Sequence, residues 1–314
     1  MTVEPPDDCI PNSPGVESPF VTGTEDRTAT LTEASLLLAV LFLGTNPVAV
    51  KVAVAEFPPL PFVAVRFTVA GLLLLGLVAL LESGGRPGGR ELISMAGVGL
   101  IGVGANNVAF TLGVGMTSAS ITALLYAAVP VWGILLGLAL GLERPTLGGL
   151  LGVCLAFLGV GVVVYGGLGG GGTSLVGDLL VVVATVCWSS YAVLSLPLLR
   201  RHTPLVVAAY TMLFGGLGAV PLALPGLVGG GWVGTSGGAW WALAYSTLFV
   251  AAFGFWTWQR GVSRVGANRV LVYQYLITLV GVLAGVVLLG EGLTANMVLG
   301  GAVVLLGVYV ARRQ

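Results

Sequence analysis

Charge is scarce in this 314-residue chain: only 8% of it is Asp, Glu, Lys or Arg, against about 25% in an ordinary soluble domain. Water is thereby excluded as its main solvent. Thirteen basic and thirteen acidic side chains cancel, which removes bulk charge as a basis for nucleic-acid binding. Histidine occurs once, at His202, and Cys9, Cys154 and Cys187 lie far apart, so neither a metal-ligand spacing nor a disulfide framework can be drawn. The glycine run 166–172 has no Lys, which excludes a phosphate-cradling GK[ST] loop and an ATP-driven pump. An intramembrane protease would need a base beside its nucleophile, and the lone histidine is in a loop. The chain is not read as an enzyme, and no cofactor or metal is expected. Residues 1–32 hold five prolines, lean acidic and lack the basic start and apolar stretch of a signal peptide; they read as a disordered cytoplasmic tail.

What is abundant is apolar sequence, 56% of the chain. Crossing about 30 Å of hydrocarbon takes roughly 20 helical residues. Ten runs meet that need, near 34–55, 60–82, 93–113, 119–141, 147–167, 177–199, 204–228, 239–259, 268–290 and 295–311. Polar or Gly/Pro-rich breaks such as EFPP, ERPT and RRHTP separate them. Fifty glycines do not argue against helices here, since membrane helices tolerate glycine well. Arginine marks every second loop: Arg86 and Arg90, Arg144, Arg200 and Arg201, then Arg260, Arg264 and Arg269, and finally Arg312 and Arg313. The intervening loops have neither Lys nor Arg, so the basic side is expected to be cytoplasmic and to hold both termini.

The second half repeats the first. At a constant offset of 148, Gly133 meets Gly281, Gly137 meets Gly285, Glu143 meets Glu291, Thr146 meets Thr294, Gly152 meets Gly300 and Gly159 meets Gly307. Earlier the offset is 145, with Pro59 on Pro204 and Leu60 on Leu205. Five spans per copy is an odd number, so the copies insert in opposite directions. Inverted repeats are the architecture of alternating-access carriers, with the substrate site near the midplane. The expected fold is therefore an all-α integral membrane protein with ten transmembrane helices in two inverted five-helix repeats. Residues 33–167 form the first repeat and 177–311 the second. A glycine-rich outer linker (168–176) joins them, and 312–314 form a basic cytoplasmic end.

Several segments carry a family resemblance: FLGTNPVAVK (42–51), FPPLPFVAVRF (57–67), TSASITALLYAAVPVWGILLGLALGLERPT (117–146), GDLLVVVATVCWSSYAV (177–193) and GANRVLVYQYLITLVGVLAGVVLLGEGLT (266–294). They resemble the drug/metabolite transporter superfamily, specifically its EamA-type members, over about residues 33–311. The resemblance implies a ten-helix plasma-membrane transporter, in a prokaryote the inner membrane, that commonly exports amino acids, amines or amphipathic compounds. It also implies a proline in span 9, where this chain has Thr278 as the counterpart of Pro130, so a weaker kink is expected there.

Only Lys51 and Arg66 are charged well inside spans, and their second-repeat counterparts are Leu196 and Thr211. Lys51 is ~6 Å from the end of its span and can snorkel to headgroups; Arg66 is ~9 Å in and needs acceptors, either structural or in an anionic ligand. Glu143 and Glu291 read as helix-end structure, and no carboxylate occupies mid-membrane, so a buried proton relay is hard to build. Recognition then falls to amides and aromatic rings. The candidate substrate-binding residues are Asn46, Arg66, Asn106, Tyr126, Trp188, Tyr191, Gln274 and Tyr275. The paired Gly133/Gly137 and Gly281/Gly285 read as close helix packing. Expected partners are a small-molecule substrate and the lipid bilayer, with neither ATP nor nucleic acid, and a homodimer is allowed. A neutral-lined channel or facilitator for small polar solutes is the alternative function.

Overall fold

The computed structural model describes residues 22–82, 87–139, 141, 146–168, 174–230, 232–265 and 267–312. Every regular element among them is helical, as hydrocarbon requires of a chain that must pair its own backbone groups. The elements form ten rods: α1 (Thr22–Val54), α2 (Pro59–Leu81), α3 (Gly89–Met116), α4 (Ala119–Ala139), α5 (Leu147–Leu168), α6 (Leu175–Leu199), α7 (Pro204–Val228), α8 (Gly237–Tyr245 continuing to Phe255–Val265), α9 (Ala267–Leu289) and α10 (Ala295–Arg312). Eight of them are long and apolar enough to cross a membrane. The segments Tyr273–Leu289 and Ala295–Ala311 are shorter apolar helices. Large apolar side chains such as Leu41, Leu72, Leu158, Leu279 and Leu283 are exposed around the bundle, an area that only lipid can cover without penalty.

Two expectations change at the ends. The polar tail is helical from Thr22 onward, as part of α1. Residues 1–21 lie outside the described residues, as do Glu143, Arg86, Arg144 and most of the linker 168–176. At the other terminus, Arg312 is the last residue of α10 rather than part of a separate end.

Contacts between rods exchange partners at the sequence offsets. A methyl group at Gly152 (α5) would lie 2.5 Å from the carbonyl oxygen of Gly307 (α10), and one at Gly159 would lie 2.7 Å from that of Gly300. Gly152 thus faces the counterpart of Gly159, and Gly159 faces the counterpart of Gly152. α5 and α10 therefore run antiparallel with their backbones in contact. The same exchange occurs at the offset of 145, where Gly71 of α2 abuts Leu213 of α7 and Gly216 abuts Thr68. This reciprocity is the geometry of a two-fold axis.

α3 and α8 share a second feature. Each is interrupted by a π-helical stretch, Leu100–Ala105 in α3 and Ser246–Gly254 in α8, at corresponding places in the two copies. A π-turn leaves a carbonyl without its usual partner and often marks a functional site. Side chains bond to a carbonyl in each stretch: Asn107 Nδ2 donates to Val103 O at 2.9 Å, and Arg66 Nε donates to Ser246 O at 3.0 Å. The copies differ at the proline. α4 breaks at Ala127–Ala128 just before Pro130, whereas α9 is continuous through Thr278, whose hydroxyl donates to Gln274 O at 3.1 Å. The weaker kink expected for span 9 is what the backbone has.

Candidate functional site

A cavity lies between α1, α3, α4, α6, α8 and α9, each of which contributes lining residues. Of the eight residues singled out from sequence, five line it: Asn46, Asn106, Tyr126, Trp188 and Gln274. Asn107, Phe110, Phe255, Ile277 and Thr278 join them. No Asp, Glu, Lys or Arg is among its lining residues.

The remaining three stand elsewhere. Arg66 is fully buried one layer behind the cavity, where its Nη2 donates to Asn46 Oδ1 at 2.9 Å. Tyr191 stacks on Trp188 with ring centroids 5.6 Å apart and shares a hydrogen bond with Thr211, so Trp188 screens it from the cavity. Tyr275, one residue beyond Gln274, is turned about 100° around α9 and packs against the cluster of Ala127, Val131 and Val304.

The polar lining is partly committed. Asn106 Nδ2 donates to Ala184 O at 2.6 Å and to the Tyr126 hydroxyl at 3.2 Å, and its Oδ1 accepts from Asn107 at 3.0 Å. Asn106 is thus a strut between α3, α4 and α6. Two backbone carbonyls are released instead. Proline at 47 and at 130 removes the N–H that would close on Leu43 and on Tyr126, and both residues line the cavity.

At one end the cavity is shut. α1, α4 and α9 meet there, and a methyl at Gly281 would sit 2.7 Å from Ala123 Cβ and 3.1 Å from Gly44 O. Over this contact lies a polar latch. Glu291, in the α9–α10 turn, accepts from the N–H groups of Ala119 and Ser120 at 2.8 Å each and so caps α4. Lys51 at the end of α1 reaches Glu291 at 3.2 Å and donates to Thr117 O at 2.7 Å. Lys51 is therefore an ion-pair partner rather than a group free at the lipid surface. The first half of α4 packs on α9, while its second half, beyond the break, packs on α6.

Burial alone would raise the Glu291 pKa, but the Ser120 and Ala119 donors and Lys51 outweigh it and leave the carboxyl below its ordinary 4.5. A lowered pKa contributes stability that is present above 4.5 and lost as pH falls through the lowered value. The difference in thermal stability between the protein and Glu291→Gln is thus expected to be constant from pH 8 to 5 and to shrink only below 4.5. A difference that changes between pH 8 and 6 would contradict this reading of the latch.

Comparison with known proteins places this architecture. The EamA-like transporter family matches residues 30–165 and 175–313. An uncharacterized transporter of Archaeoglobus fulgidus is 28% identical over 281 residues, covering 89% of this chain and 98% of the relative. A protein of Streptantibioticus cattleyicolor named a probable terminal-alkyne amino-acid exporter is 31% identical, covering 83% of this chain and 89% of the relative. One crystal structure shares the fold, with a TM-score of 0.63 and 21% identity over 90% of this chain and 96% of that one.

Proposed function

This chain belongs to the EamA-like transporter family, and we propose on that premise that it exports a small amphipathic metabolite by alternating access. It is a multi-pass plasma-membrane transporter and not an enzyme. All ten rods span the bilayer as two inverted five-helix repeats, with the arginine-bearing loops and both termini in the cytoplasm. The reciprocal glycine contacts of α5 with α10 and of α2 with α7 support that reading.

The observation that carries the proposal is a cavity sealed at one end only by side-chain and glycine contacts between the two copies. Glu291 and Lys51 are on the arginine-free side, so the sealed end is the outer one and the site is loaded from the cytoplasm. Export follows when α4 and α9 part at Gly281 and close at their opposite ends. The walls suit a small solute with an apolar body: Phe110, Trp188, Phe255 and Ile277 give apolar and aromatic surface, and Gln274 and Asn107 give amides. The carbonyls released by Pro47 and Pro130 are acceptors for an ammonium group, which favours amino acids. The name of the S. cattleyicolor relative points the same way.

Counterflow of labelled phenylalanine and leucine in proteoliposomes tests this. Saturable exchange is expected, with Gln274→Ala reducing it at least about tenfold, the loss of one good hydrogen bond, and Asn106→Ala reducing it by removing the strut between α3, α4 and α6. Tyr275→Phe is expected to change it less than twofold. Conductance without saturation would replace the carrier by a channel, and flux indifferent to both Gln274 and Asn106 would remove the cavity as the site.

A further inference from the structure

Arg66 poses a problem of charge. Its side chain is fully buried, yet among the described residues no carboxylate pairs with it. Nε is bonded to Ser246 O and Nη2 to Asn46 Oδ1, the guanidinium lies 4.8 Å from the Phe67 ring centroid, and Nη1 is buried with no protein partner. Two neutral hydrogen bonds and an aromatic ring offset only part of the cost of desolvating a full charge. An anion within reach would offset the rest.

The arrangement also fixes what the cavity presents. Guanidinium has donors only, so the Asn46 atom facing it must be the oxygen, and the amide NH2 is the end left for the cavity that Asn46 lines. A bond from a cation to Oδ1 polarises the amide and strengthens that NH2 as a donor. The Tyr126 hydroxyl accepts from Asn106 and so keeps its own proton to give. Two donors, the Asn46 one backed by a positive charge, face a space with no acidic side chain in its lining. Resting on the reading of this cavity as the substrate site, we propose that Asn46, oriented by Arg66, forms with the Tyr126 hydroxyl a carboxylate-binding subsite. Only metabolites bearing a carboxylate are then carried. Arg66 is a positioning residue that acts through Asn46, and simple amines are excluded. A single cation also disfavours dianions such as phosphate esters.

The test uses matched probes on the purified full chain: leucine and phenylalanine, their amides, 3-phenylpropanoate and 2-phenylethylamine, each measured by thermal shift and by competition for counterflow. Leucine, phenylalanine and 3-phenylpropanoate are expected to compete, and each amide about tenfold or more weakly than its acid. Asn46→Asp separates recognition from structure. An aspartate there pairs with Arg66 and keeps the fold, so thermal stability is maintained or raised. It presents a carboxylate in place of the NH2, and the preference for acids over amides is expected to vanish or reverse. Arg66→Lys is expected to retain part of that preference and Arg66→Met none. Amides and 2-phenylethylamine competing as well as the acids would overturn the subsite while leaving the transporter standing. An acid preference surviving Asn46→Asp would do the same. Absence of any saturable flux, with every probe silent, overturns both.

Discussion

Gly281→Val is expected to stop transport at the flux-detection floor while leaving the protein folded. The position is where α9 crosses α1 and α4, and a methyl there already lies 2.7 Å from Ala123 Cβ and 3.1 Å from Gly44 O. Backbone oxygen cannot move aside as a flexible side-chain tip can, and a β-branched residue adds two further carbons to the clash. Overpacking of this kind costs about 1–3 kcal/mol or more. Under the proposed alternating access it applies only to the state sealed at the Glu291 end, because α4 and α9 part there in the other. A cost of about 3 kcal/mol moves the balance between the two states by more than 100-fold. The check is proteoliposome flux together with labelling of Ser120→Cys by an impermeant maleimide, with Cys9, Cys154 and Cys187 replaced by Ser. Transport within twofold of the parent, or an introduced thiol that stays protected, would show that this contact is not the seal.

Glu291→Ala is expected to loosen the same end by a different route. It strips the cap from the Ala119 and Ser120 N–H groups and leaves Lys51 without its carboxylate. A lost cap costs about 1 kcal/mol. The ion pair adds less than its geometry suggests, because the Lys51 side chain is 32% exposed and water screens it. A sum of about 2 kcal/mol corresponds to roughly a 30-fold shift away from the sealed state. The order of effect on labelling of the Ser120→Cys thiol should be Glu291→Ala, then Glu291→Gln, then Lys51→Met, since Gln still accepts a hydrogen bond and Lys51→Met leaves the cap intact. If Lys51→Met opens the end as much as Glu291→Ala, the cap contributes nothing and the ion pair alone holds it.

The rods were legible because hydrocarbon demands long apolar helices, and the runs 204–228 and 295–311 end within a residue of α7 and α10. α3 and α8 extend past both ends of their apolar runs, and neither π-turn leaves a signal in periodicity; only the crowd of Gly99, Gly102 and Gly104 marks the first. The difference between Pro130 and Thr278 was readable, since a missing N–H is a local property. Lys51 was not readable. Its partner is 240 residues away, and sequence distance cannot distinguish a snorkelling lysine from one aimed at a helix cap. Trp188 and Tyr191 share one face of α6, so helical phase alone places both at the cavity; stacking then puts one ring behind the other. Phe110, one helical turn beyond Asn106 on α3, was within reach of that argument, whereas Asn107 is turned about 100° from Asn106.

The position opposite Lys51 in the second copy is Leu196. A machine with two equivalent halves would dwell equally at its two extremes. Under the proposed alternating access, one extreme is held by a cation and the other has no such cation at the matching place, which gives the unloaded protein a resting preference for the form sealed at the Glu291 end. That preference sets no direction of net flux, which the solute gradient decides. It does make the two faces unequal as seen by a solute, because the apparent dissociation constant from each side is the intrinsic one divided by the fraction of molecules open to that side. Half-saturation should therefore come at lower concentration from the face opposite Glu291, and Lys51→Met should draw the two values together.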